Sequence, residues 1–366
     1  MKISFILPGF GRAGGIKAPV QIANCLLGRG HNVRLVVNTK SENVKESLRK
    51  LWIKMRFPGN NNWLDSFNGQ IEKYSDVTRC CFGEDEIVIL SGWWAAREFH
   101  RLKRRPAVTL HCIDGVLEDT ELMKEAWGED IPKIAVASYI EKVIEEICGQ
   151  NIMAVIPNGV DTGQYYPSVS DSQRDGVGTI FSRSYLKDPE TILNVLELLR
   201  ARCPRIPQRV FGICRRSRQI PRRIYYRLPS LERARQIYSR SLVWFVASRS
   251  EGFSIPVLEA MACGCAVVAT DCGGPRDIIV NGENGFLVET ANAEQIADKI
   301  KLLLDNPELR QRFVIKSRDT VRAFSWDNSA DKLEEVLHSL VIKHSIRNAK
   351  KGGENTVIAV APAAEF

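Results

Sequence analysis

Short apolar runs alternate with stretches of helical periodicity along most of the chain. The run Lys2–Leu7 precedes a helical pattern over 15–29, and a second apolar run follows over 33–37. Apolar runs with few alternating polar positions are typical of parallel strands that are buried on both faces. The order strand, helix, strand therefore predicts a β-α-β opening to an α/β fold. Further strands are expected at 87–90, 107–110, 134–137 and 152–156, separated by helices at 95–104 and 138–148.

The same alternation resumes after the polar stretch 168–178, which follows Pro167 and is typical of a linker. The 366 residues of the chain are enough for two domains of about 150–200 residues each. Two parallel sheets in succession are therefore predicted. In the second, strands are expected at 178–182, 209–213, 242–247, 266–270 and 285–288, and helices at 189–200, 255–264, 293–304 and 328–340.

Two glutamates, Glu251 and Glu259, mark the segment that carries the most chemistry. Glu251 follows the strand predicted at 242–247, and the helix after it can be capped by Ser254 and ended by Gly264. Both glutamates are then expected at the crevice beyond the carboxyl ends of a parallel sheet, where α/β folds bind ligands. The helix start between them offers free backbone N–H groups to a phosphate. The alternative for two glutamates at this spacing is an exposed loop residue and an exposed helix residue.

The segment from Ser250 to Gly264 resembles the E-x7-E signature of the retaining nucleotide-sugar glycosyltransferases of family 4. The resemblance implies the GT-B fold, an α/β architecture of two Rossmann-like parallel-sheet domains that face each other across a cleft. It also implies that Glu251 contacts the donor sugar and that Glu259 holds the ribose hydroxyls. A carboxylate suits both roles because it accepts hydrogen bonds from paired hydroxyls. The other donor-binding residues that the resemblance implies here are Gly252, Phe253, Ser254 and Ile255.

A glycine-rich loop follows the first predicted strand, with the spacing Gly9-x-Gly11-x-x-Gly14. A dinucleotide site of this type needs an acid at the end of the second strand, where the chain instead has Val37-Asn-Thr-Lys40. An oxidoreductase is therefore disfavoured. Gly14 and Gly15 allow backbone N–H groups to approach a ligand closely. The resemblance implies that this loop lies near the donor phosphates and the acceptor.

His111 follows the strand predicted at 107–110, and a position at a strand end favours a functional role. A lone histidine is nevertheless more often a structural residue with satisfied hydrogen bonds. The resemblance implies that His111 lies near the donor sugar and the acceptor and orients them by hydrogen bonding.

Two cations, Arg183 and Lys187, follow the first strand of the second predicted sheet. An arginine can bind two phosphate oxygens at once and a lysine adds a point charge, so the pair suits a diphosphate. Two solvent-exposed cations are the alternative. The resemblance implies that both neutralise the leaving nucleoside diphosphate, although Ser182 and Asp188 replace the glycines that are usual in the family.

The turn Ile156-Pro-Asn-Gly-Val-Asp161 matches the family's boundary between domains. The domains are therefore predicted at 1–165, on the acceptor side, and at 166–325, which binds the nucleotide sugar. A helix over 326–342 is expected to cross back onto the first domain. Residues 343–366 are expected to form a loose tail.

Positive charge is concentrated in one part of this chain, whose net charge is +8. The segment 200–249 holds fourteen arginines, no lysine and one acid, Glu232. Such a patch suits a phosphate-bearing donor or an anionic membrane surface. Nucleic acid is not expected as a partner, because no aromatic RNA-binding pattern accompanies the arginines. The basic and apolar stretch 45–57 predicts either a helix on a membrane surface or one that faces the core.

The sequence also indicates a cellular location. No apolar run approaches the length of a membrane span, and the N-terminal apolar stretch is too short for a signal peptide. Ten cysteines without a repeated spacing indicate reduced thiols, not a disulfide framework. We therefore expect a cytoplasmic protein, with peripheral attachment to the inner membrane face as an option.

Together with the resemblance, these patterns predict a retaining, metal-independent glycosyltransferase that moves a sugar from a nucleoside diphosphate sugar to a glycan, lipid or lipid-linked acceptor. Its expected catalytic set is His111, Arg183, Lys187 and Glu251. No Asp-x-Asp occurs, so no metal and no other cofactor are expected. The two cations and the helix start are expected to stabilise charge on the leaving phosphate instead. The alternatives are a nucleotide-sugar epimerase of the same fold and a non-catalytic protein that binds sugar nucleotides.

Overall fold

The computed structural model describes residues 1–12, 14–39, 62–102, 106, 108–115 and 120–351. Within these ranges the chain forms two parallel β-sheets, each packed against helices. The stretch 45–57 and the end of the chain beyond residue 351 lie outside the described residues, so the predictions made for them stay predictions.

Seven parallel strands form the first sheet. They are β1 (Lys2–Leu7), β2 (Asn32–Asn38), β3 (Gln70–Tyr74), β4 (Glu86–Ser91), β5 (Val108–Ile113), β6 (Lys133–Ala135) and β7 (Ala154–Val155). Their order across the sheet is β3-β2-β1-β4-β5-β6-β7. Every residue of β1 after Lys2 is buried, which explains its continuous apolar run. The helices of this half are α1 (Gly14–Gly28), α2 (Trp93–Phe99), α3 (Thr120–Trp127) and α4 (Ser138–Cys148).

Six parallel strands form the second sheet. They are β8 (Val177–Ile180), β9 (Gln208–Gly212), β10 (Tyr225–Arg227), β11 (Val243–Val246), β12 (Ala266–Thr270) and β13 (Phe286–Val288), in the order β10-β9-β8-β11-β12-β13. The reversal of strand order beside β8 and β11 creates the crevice in which such sheets bind ligands. The helices are α5 (Pro189–Arg202), α6 (Leu231–Arg240), α7 (Ile255–Ala262), α8 (Ala293–Asp305), α9 (Pro307–Ala323) and α10 (Trp326–Lys351).

The predicted strands are confirmed, with shifted ends. The largest consequence concerns β5, which runs on to Ile113. His111 therefore lies inside the strand, and its predicted position at the strand end is wrong. The strand continues because His111, Cys112 and Ile113 stay in register with β6.

The helix α7 starts after Ser254 as predicted, but two other predictions about helix ends are wrong. Ser254 does not cap α7, because its backbone is left-handed with φ 75° and its side chain makes no capping hydrogen bond. A serine cap requires a non-helical, extended backbone from which the side-chain oxygen reaches back to the first turn. The expected loose tail is helical over 343–351, since α10 continues to Lys351.

The chain crosses between the two sheets twice, and the two crossings lie side by side. The first contains Val160, whose N–H donates to the carbonyl oxygen of Phe324 in the second crossing over 2.9 Å. Gly159 approaches the second crossing so closely that a Cβ there would lie 2.3 Å from the backbone nitrogen of Trp326. Any residue other than glycine at this position would push the crossings apart.

The last helix, α10, packs against α1 of the first half. Asp331 and Glu334 of α10 contact Arg29 and His31, with 2.6 Å between Arg29 Nη1 and Asp331 Oδ1 and 2.6 Å between His31 Nε2 and Glu334 Oε1. Although α10 has 26 residues, no helix in the described ranges is both long and apolar enough to cross a bilayer.

Candidate active site between the two sheets

A cavity of about 600 Å³ lies between the sheets, beyond the carboxyl ends of strands from both halves. This is the position at which parallel α/β sheets bind ligands. The predicted site residues that line it are Gly14, Gly15, Lys187, Glu251, Gly252, Phe253, Ser254, Ile255 and Glu259. Two predicted residues, His111 and Arg183, do not line this cavity.

Glu251 lies in the loop after β11, and its carboxylate is 7% exposed. Its Oε1 accepts hydrogen bonds from Lys187 Nζ over 2.6 Å and from Ser248 Oγ over 2.7 Å. The backbone carbonyl of Glu251 accepts a further hydrogen bond from Tyr139 Oη of the first half over 3.0 Å. The loop is thus held by contacts from both halves of the molecule. Glu251, predicted to bind the sugar, is paired with Lys187, predicted to bind the diphosphate.

Glu259 lies in the second turn of α7 and is already bonded within the protein. Lys17 Nζ of α1 lies 2.5 Å from Oε1, and Tyr238 Oη donates to Oε2 over 2.9 Å. Burial raises the pKa values of Tyr165 and Tyr238 well above the usual range, and the nearby Glu259 carboxylate adds to the effect. Both carboxylate oxygens of Glu259 thus already accept hydrogen bonds within the protein.

The Lys17 ammonium is enclosed by aromatic rings. Its side chain is 3% exposed, and Nζ lies 4.8 Å from the ring centroid of Trp63 and 4.7 Å from that of Tyr165. Both distances fall within the range of a cation–π interaction. Sequence reasoning did not identify Lys17, because its carboxylate partner lies 242 residues away along the chain.

The two cations predicted to bind the diphosphate, Arg183 and Lys187, have different surroundings. Lys187 lines the cavity and pairs with Glu251. The guanidinium of Arg183 instead donates to the backbone carbonyls of Arg215 and Arg216, each over 3.3 Å. Asp188 explains why the usual glycine after Lys187 is not needed, since it adopts a left-handed backbone (φ 44°) and its side chain caps α5.

His111 is fully buried within β5, with 1% of its surface exposed. Its Nε2 lies 3.2 Å from the carbonyl oxygen of Gly92. Burial lowers the pKa of His111 to about 4, so the ring is neutral at neutral pH. A direct role at the donor sugar stays a prediction, while the contact with Gly92 supports the loop after β4.

Asp114 is a cavity residue that sequence reasoning missed. It directly follows the last residue of β5, and its side chain is exposed to the cavity. The signal that could have found it is the one applied to His111, a polar residue just beyond a buried strand.

Arg12 is a further cavity residue missed from the sequence, and it also joins the two halves. Its Nη1 donates to the carbonyl oxygen of Pro229 over 2.7 Å, and burial lowers the pKa of its guanidinium. A second link is formed at the outer end, where the backbone N–H of Ser138 donates to Asp277 Oδ2 over 2.7 Å. The cavity is therefore bounded by direct contacts between the halves.

Ser254 lies at the start of α7 and lines the cavity, while its hydroxyl is buried. The residue is 4% exposed, and its Oγ has no hydrogen-bond partner within the described chain. The positive end of the α7 dipole favours an anion at this part of the cavity wall.

Among the described residues, no group of three or more His, Cys, Asp or Glu side chains is arranged to hold a metal ion. The prediction that the reaction needs neither metal nor cofactor stays a prediction.

Sequence relatives of the chain are glycosyltransferases. Residues 223–320 match the family model described as Glycosyl transferases group 1. The D-inositol 3-phosphate glycosyltransferase of Rhodococcus erythropolis is 28% identical over 232 residues, which cover 56% of this chain and 52% of that protein. The phosphatidyl-myo-inositol mannosyltransferase of Mycobacterium leprae is 35% identical over 95 residues, which cover 26% of this chain and 25% of that protein. The matches thus span about half or less of these relatives' length.

Solved structures resemble the chain over nearly its whole length. HepE from Anabaena, in complex with UDP, has a TM-score of 0.71 and 18% identity and covers 93% of this chain and 100% of its own. Sucrose-phosphate synthase from Thermosynechococcus elongatus has a TM-score of 0.69 and 15% identity and covers 94% of this chain and 100% of its own. At these identities the likeness concerns the fold, and the predicted GT-B fold is confirmed. The sequence relatives confirm the predicted resemblance to glycosyltransferases.

Proposed function

We propose that this chain, a relative of the group 1 glycosyltransferases with the GT-B fold, transfers a sugar from a nucleoside diphosphate sugar to an acceptor hydroxyl. The observation that carries the proposal is the grouping of Lys187, Glu251 and the start of α7 on one wall of the cavity. Lys187 and the positive end of the α7 dipole suit a diphosphate, and Glu251 suits the hydroxyls of the attached sugar.

The proposed reaction retains the anomeric configuration and uses no metal. The bond between the sugar C1 and the phosphate oxygen breaks, the acceptor oxygen bonds to C1 on the same face, and the acceptor proton passes to the leaving phosphate. Negative charge grows on the diphosphate, where Lys187 and the start of α7 stabilise it. Arg183 joins them when its guanidinium turns away from the carbonyls that it now contacts.

In this proposal Glu259 binds the ribose and exchanges part of its present bonding for the two hydroxyls. Lys17 then moves off one carboxylate oxygen while its stem stays among the aromatic rings. The structures of HepE with UDP and with UDP-glucose make uridine diphosphate sugars the first donors to test.

The test measures UDP binding by calorimetry and release of UDP from UDP-sugars in the wild type, in Lys187→Ala and in Lys301→Ala. Lys301 lies on the exposed face of α8 and pairs with nearby Asp305, so it is a matched control. We expect Lys187→Ala to lower turnover about a hundredfold, because one lost contact to developing charge typically costs that much. Lys301→Ala should be unchanged.

Two results would contradict this proposal. One is the failure of the wild type to bind any nucleoside diphosphate across uridine, adenosine, guanosine and thymidine forms. The other is the conversion of one nucleotide sugar into another without an acceptor, which would indicate an epimerase.

We also propose that the protein attaches to an anionic membrane surface. The loop between β9 and β10 carries four exposed arginines, with no acidic residue between Glu197 and Glu232. Within the described residues none of the four forms an ion pair, and Ile213 beside them is 52% exposed. The four are Arg215, Arg218, Arg222 and Arg223.

Sedimentation with vesicles tests this attachment. Each arginine near an anionic surface contributes about 1 kcal/mol, so R218Q/R222Q/R223Q should bind phosphatidylglycerol vesicles much more weakly than the wild type. The control R312Q/R318Q/R322Q removes the same charge from the exposed side of α9 and should bind normally. Equal binding to phosphatidylglycerol and phosphatidylcholine vesicles, or an equal loss in both variants, would refute the attachment.

A further inference from the structure

The loop that carries Lys187 has an uncommon backbone conformation at the next residue. Asp188 adopts a left-handed backbone, with φ 44° and ψ 68°, and only 1% of its surface is exposed. Glycine adopts this conformation without steric cost, whereas other residues are strained in it, and asparagine and aspartate tolerate it best. Strained residues persist only where their surroundings hold them, and they occur most often at functional sites. Contacts that hold Asp188 in place are therefore expected, and two sets of them are present.

One set of contacts joins Asp188 to the start of α5. Its Oδ1 accepts a hydrogen bond from the backbone N–H of Thr191 over 3.2 Å, and its Oδ2 accepts one from Thr191 Oγ1 over 2.8 Å. This is the arrangement with which aspartate commonly caps a helix. Because asparagine caps helices about as well as aspartate, the cap does not explain why this residue is charged.

The second set joins Asp188 to the loop that carries Glu251. Arg249 Nη2 lies 3.1 Å from Asp188 Oδ2, and the Arg249 guanidinium also lies over the ring of Tyr185, 4.9 Å from its centroid. The backbones of the two loops are joined as well, because the N–H of Arg249 donates to the carbonyl oxygen of Leu186 over 2.9 Å. The two loops are therefore fastened together by side chains and by backbone.

The fastened loops place the ammonium of Lys187 beside the carboxylate of Glu251, with 2.6 Å between Nζ and Oε1. Lys187 directly precedes Asp188 in the chain, and Glu251 follows Arg249 by two positions. A lysine side chain is long and flexible, so the direction in which it points depends on the backbone that carries it. Asp188 and Arg249 do not line the cavity themselves, so any influence they have on a ligand there passes through their neighbours.

We propose that Asp188 and Arg249 are positioning residues, which hold Lys187 toward a diphosphate in the cavity. They act through Lys187 and touch no part of the substrate. The charge at position 188 is thereby explained, because a glycine could adopt the left-handed backbone but could not bind Arg249. The place of this pair in catalysis rests on the proposed transfer reaction, whereas its effect on the orientation of Lys187 does not.

Calorimetric titration with inorganic pyrophosphate tests the positioning role without a sugar or a base. We expect Arg249→Gln and Asp188→Asn each to weaken pyrophosphate binding about tenfold, because Lys187 no longer makes a well-placed hydrogen bond to a charged oxygen. Asp188→Asn keeps the cap and tolerates the left-handed backbone, so it removes only the charge that faces Arg249. This variant guards against a folding defect in Arg249→Gln. Arg249→Lys should retain most of the binding, since it keeps a cation next to Asp188.

Coupling between variants separates positioning from a purely structural role. If Arg249 acts through Lys187, Arg249→Gln should weaken binding little further in a protein that already carries Lys187→Ala. A purely structural role would instead lower the free energy of unfolding and leave the two effects on binding additive. Arg202→Gln is the matched control and should bind pyrophosphate as the wild type does. Arg202 lies in the last turn of the same helix, α5, where it pairs with Asp298 over 2.8 Å.

The outcomes also separate this proposal from the transferase proposal. Three results would overturn the positioning role: normal binding by both Arg249→Gln and Asp188→Asn, additive effects of Arg249→Gln and Lys187→Ala, or a wild type that binds neither pyrophosphate nor UDP. A wild type that binds pyrophosphate with the expected coupling but transfers no sugar would leave the positioning role intact and refute the transferase proposal. Sugar transfer with additive effects would do the reverse.

Discussion

Lys17 and Glu259 form an ion pair that is almost completely removed from water, with side chains 3% and 9% exposed. Removing two charges from water is costly, and their attraction compensates only when further hydrogen bonds satisfy both groups. Here Tyr238 satisfies the carboxylate and two aromatic rings surround the ammonium. The pair also spans the two halves of the molecule, so it depends on their closure.

We expect Lys17→Met to destabilise the protein by about 3–5 kcal/mol, because it leaves the Glu259 charge buried without its cation. The double variant Lys17→Met/Glu259→Gln should recover part of this loss, since no unpaired charge remains. Urea unfolding followed by circular dichroism measures both effects.

Lys301→Met is the matched control for that experiment, because it breaks an exposed pair with Asp305 and should change stability little. If Lys17→Met were no more destabilising than Lys301→Met, the ion pair would not be the buried, coupled unit described here. A double variant less stable than Lys17→Met alone would contradict the coupling in the same way.

The position of a single residue at the cavity was predictable from the sequence where the local pattern of strands and helices determines that position. Glu251, Lys187 and Glu259 follow buried strands or lie on the helix after one, and all three line the cavity. Lys17 looked like an ordinary helix residue, since its partner is 242 residues away. Ser254 was placed correctly but given the wrong role, because its left-handed backbone depends on the tertiary setting of the loop.

At the level of elements, the sequence predicted the interior strands and the edge strands β7 and β13, but missed the edge strands β3 and β10. β1 and β11 are buried along nearly their whole length, so their apolar runs are continuous. β3 and β10 lie at sheet edges and are only partly buried, and their polar residues conceal them. Burial on both faces, and not strand formation itself, produces the signal that a sequence displays.

The cap of helix α4 is another feature that the local sequence does not reveal. It begins after Ala137, which has no side chain that could cap it. Asp277 of the other half supplies the cap, accepting hydrogen bonds from the backbone N–H and the hydroxyl of Ser138. A cap contributed from 139 residues away leaves no local trace in the sequence. It also couples the start of α4 to the loop that carries Cys272 and Gly273.

For the whole molecule, the functional unit is the closed arrangement of the two halves. Contacts across the cavity connect Arg12 to Pro229, Tyr139 to the Glu251 backbone, and Ser138 to Asp277. None of these pairs was predicted, because the sequence indicates each half separately but not how their loops meet. Closure of this kind brings together groups from both halves and excludes water from the reaction.

The contact between Gly252 and Asp114 is the point at which closure can be tested most directly. A Cβ at residue 252 would lie 1.9 Å from the Asp114 carbonyl oxygen and 2.8 Å from its carbonyl carbon, and neither backbone atom can rotate away. We therefore expect Gly252→Ala to hold the halves apart, to raise the radius of gyration in small-angle scattering, and to lower donor turnover about a hundredfold, as a misplacement of about 1 Å does. UDP binding should survive in part, because Lys187 and α7 both belong to the second half.

Gly28→Ala is the control, since no atom lies within 4 Å of a Cβ at that position. A Gly252→Ala protein as compact and as active as Gly28→Ala would show that closure at this contact is not needed for the reaction.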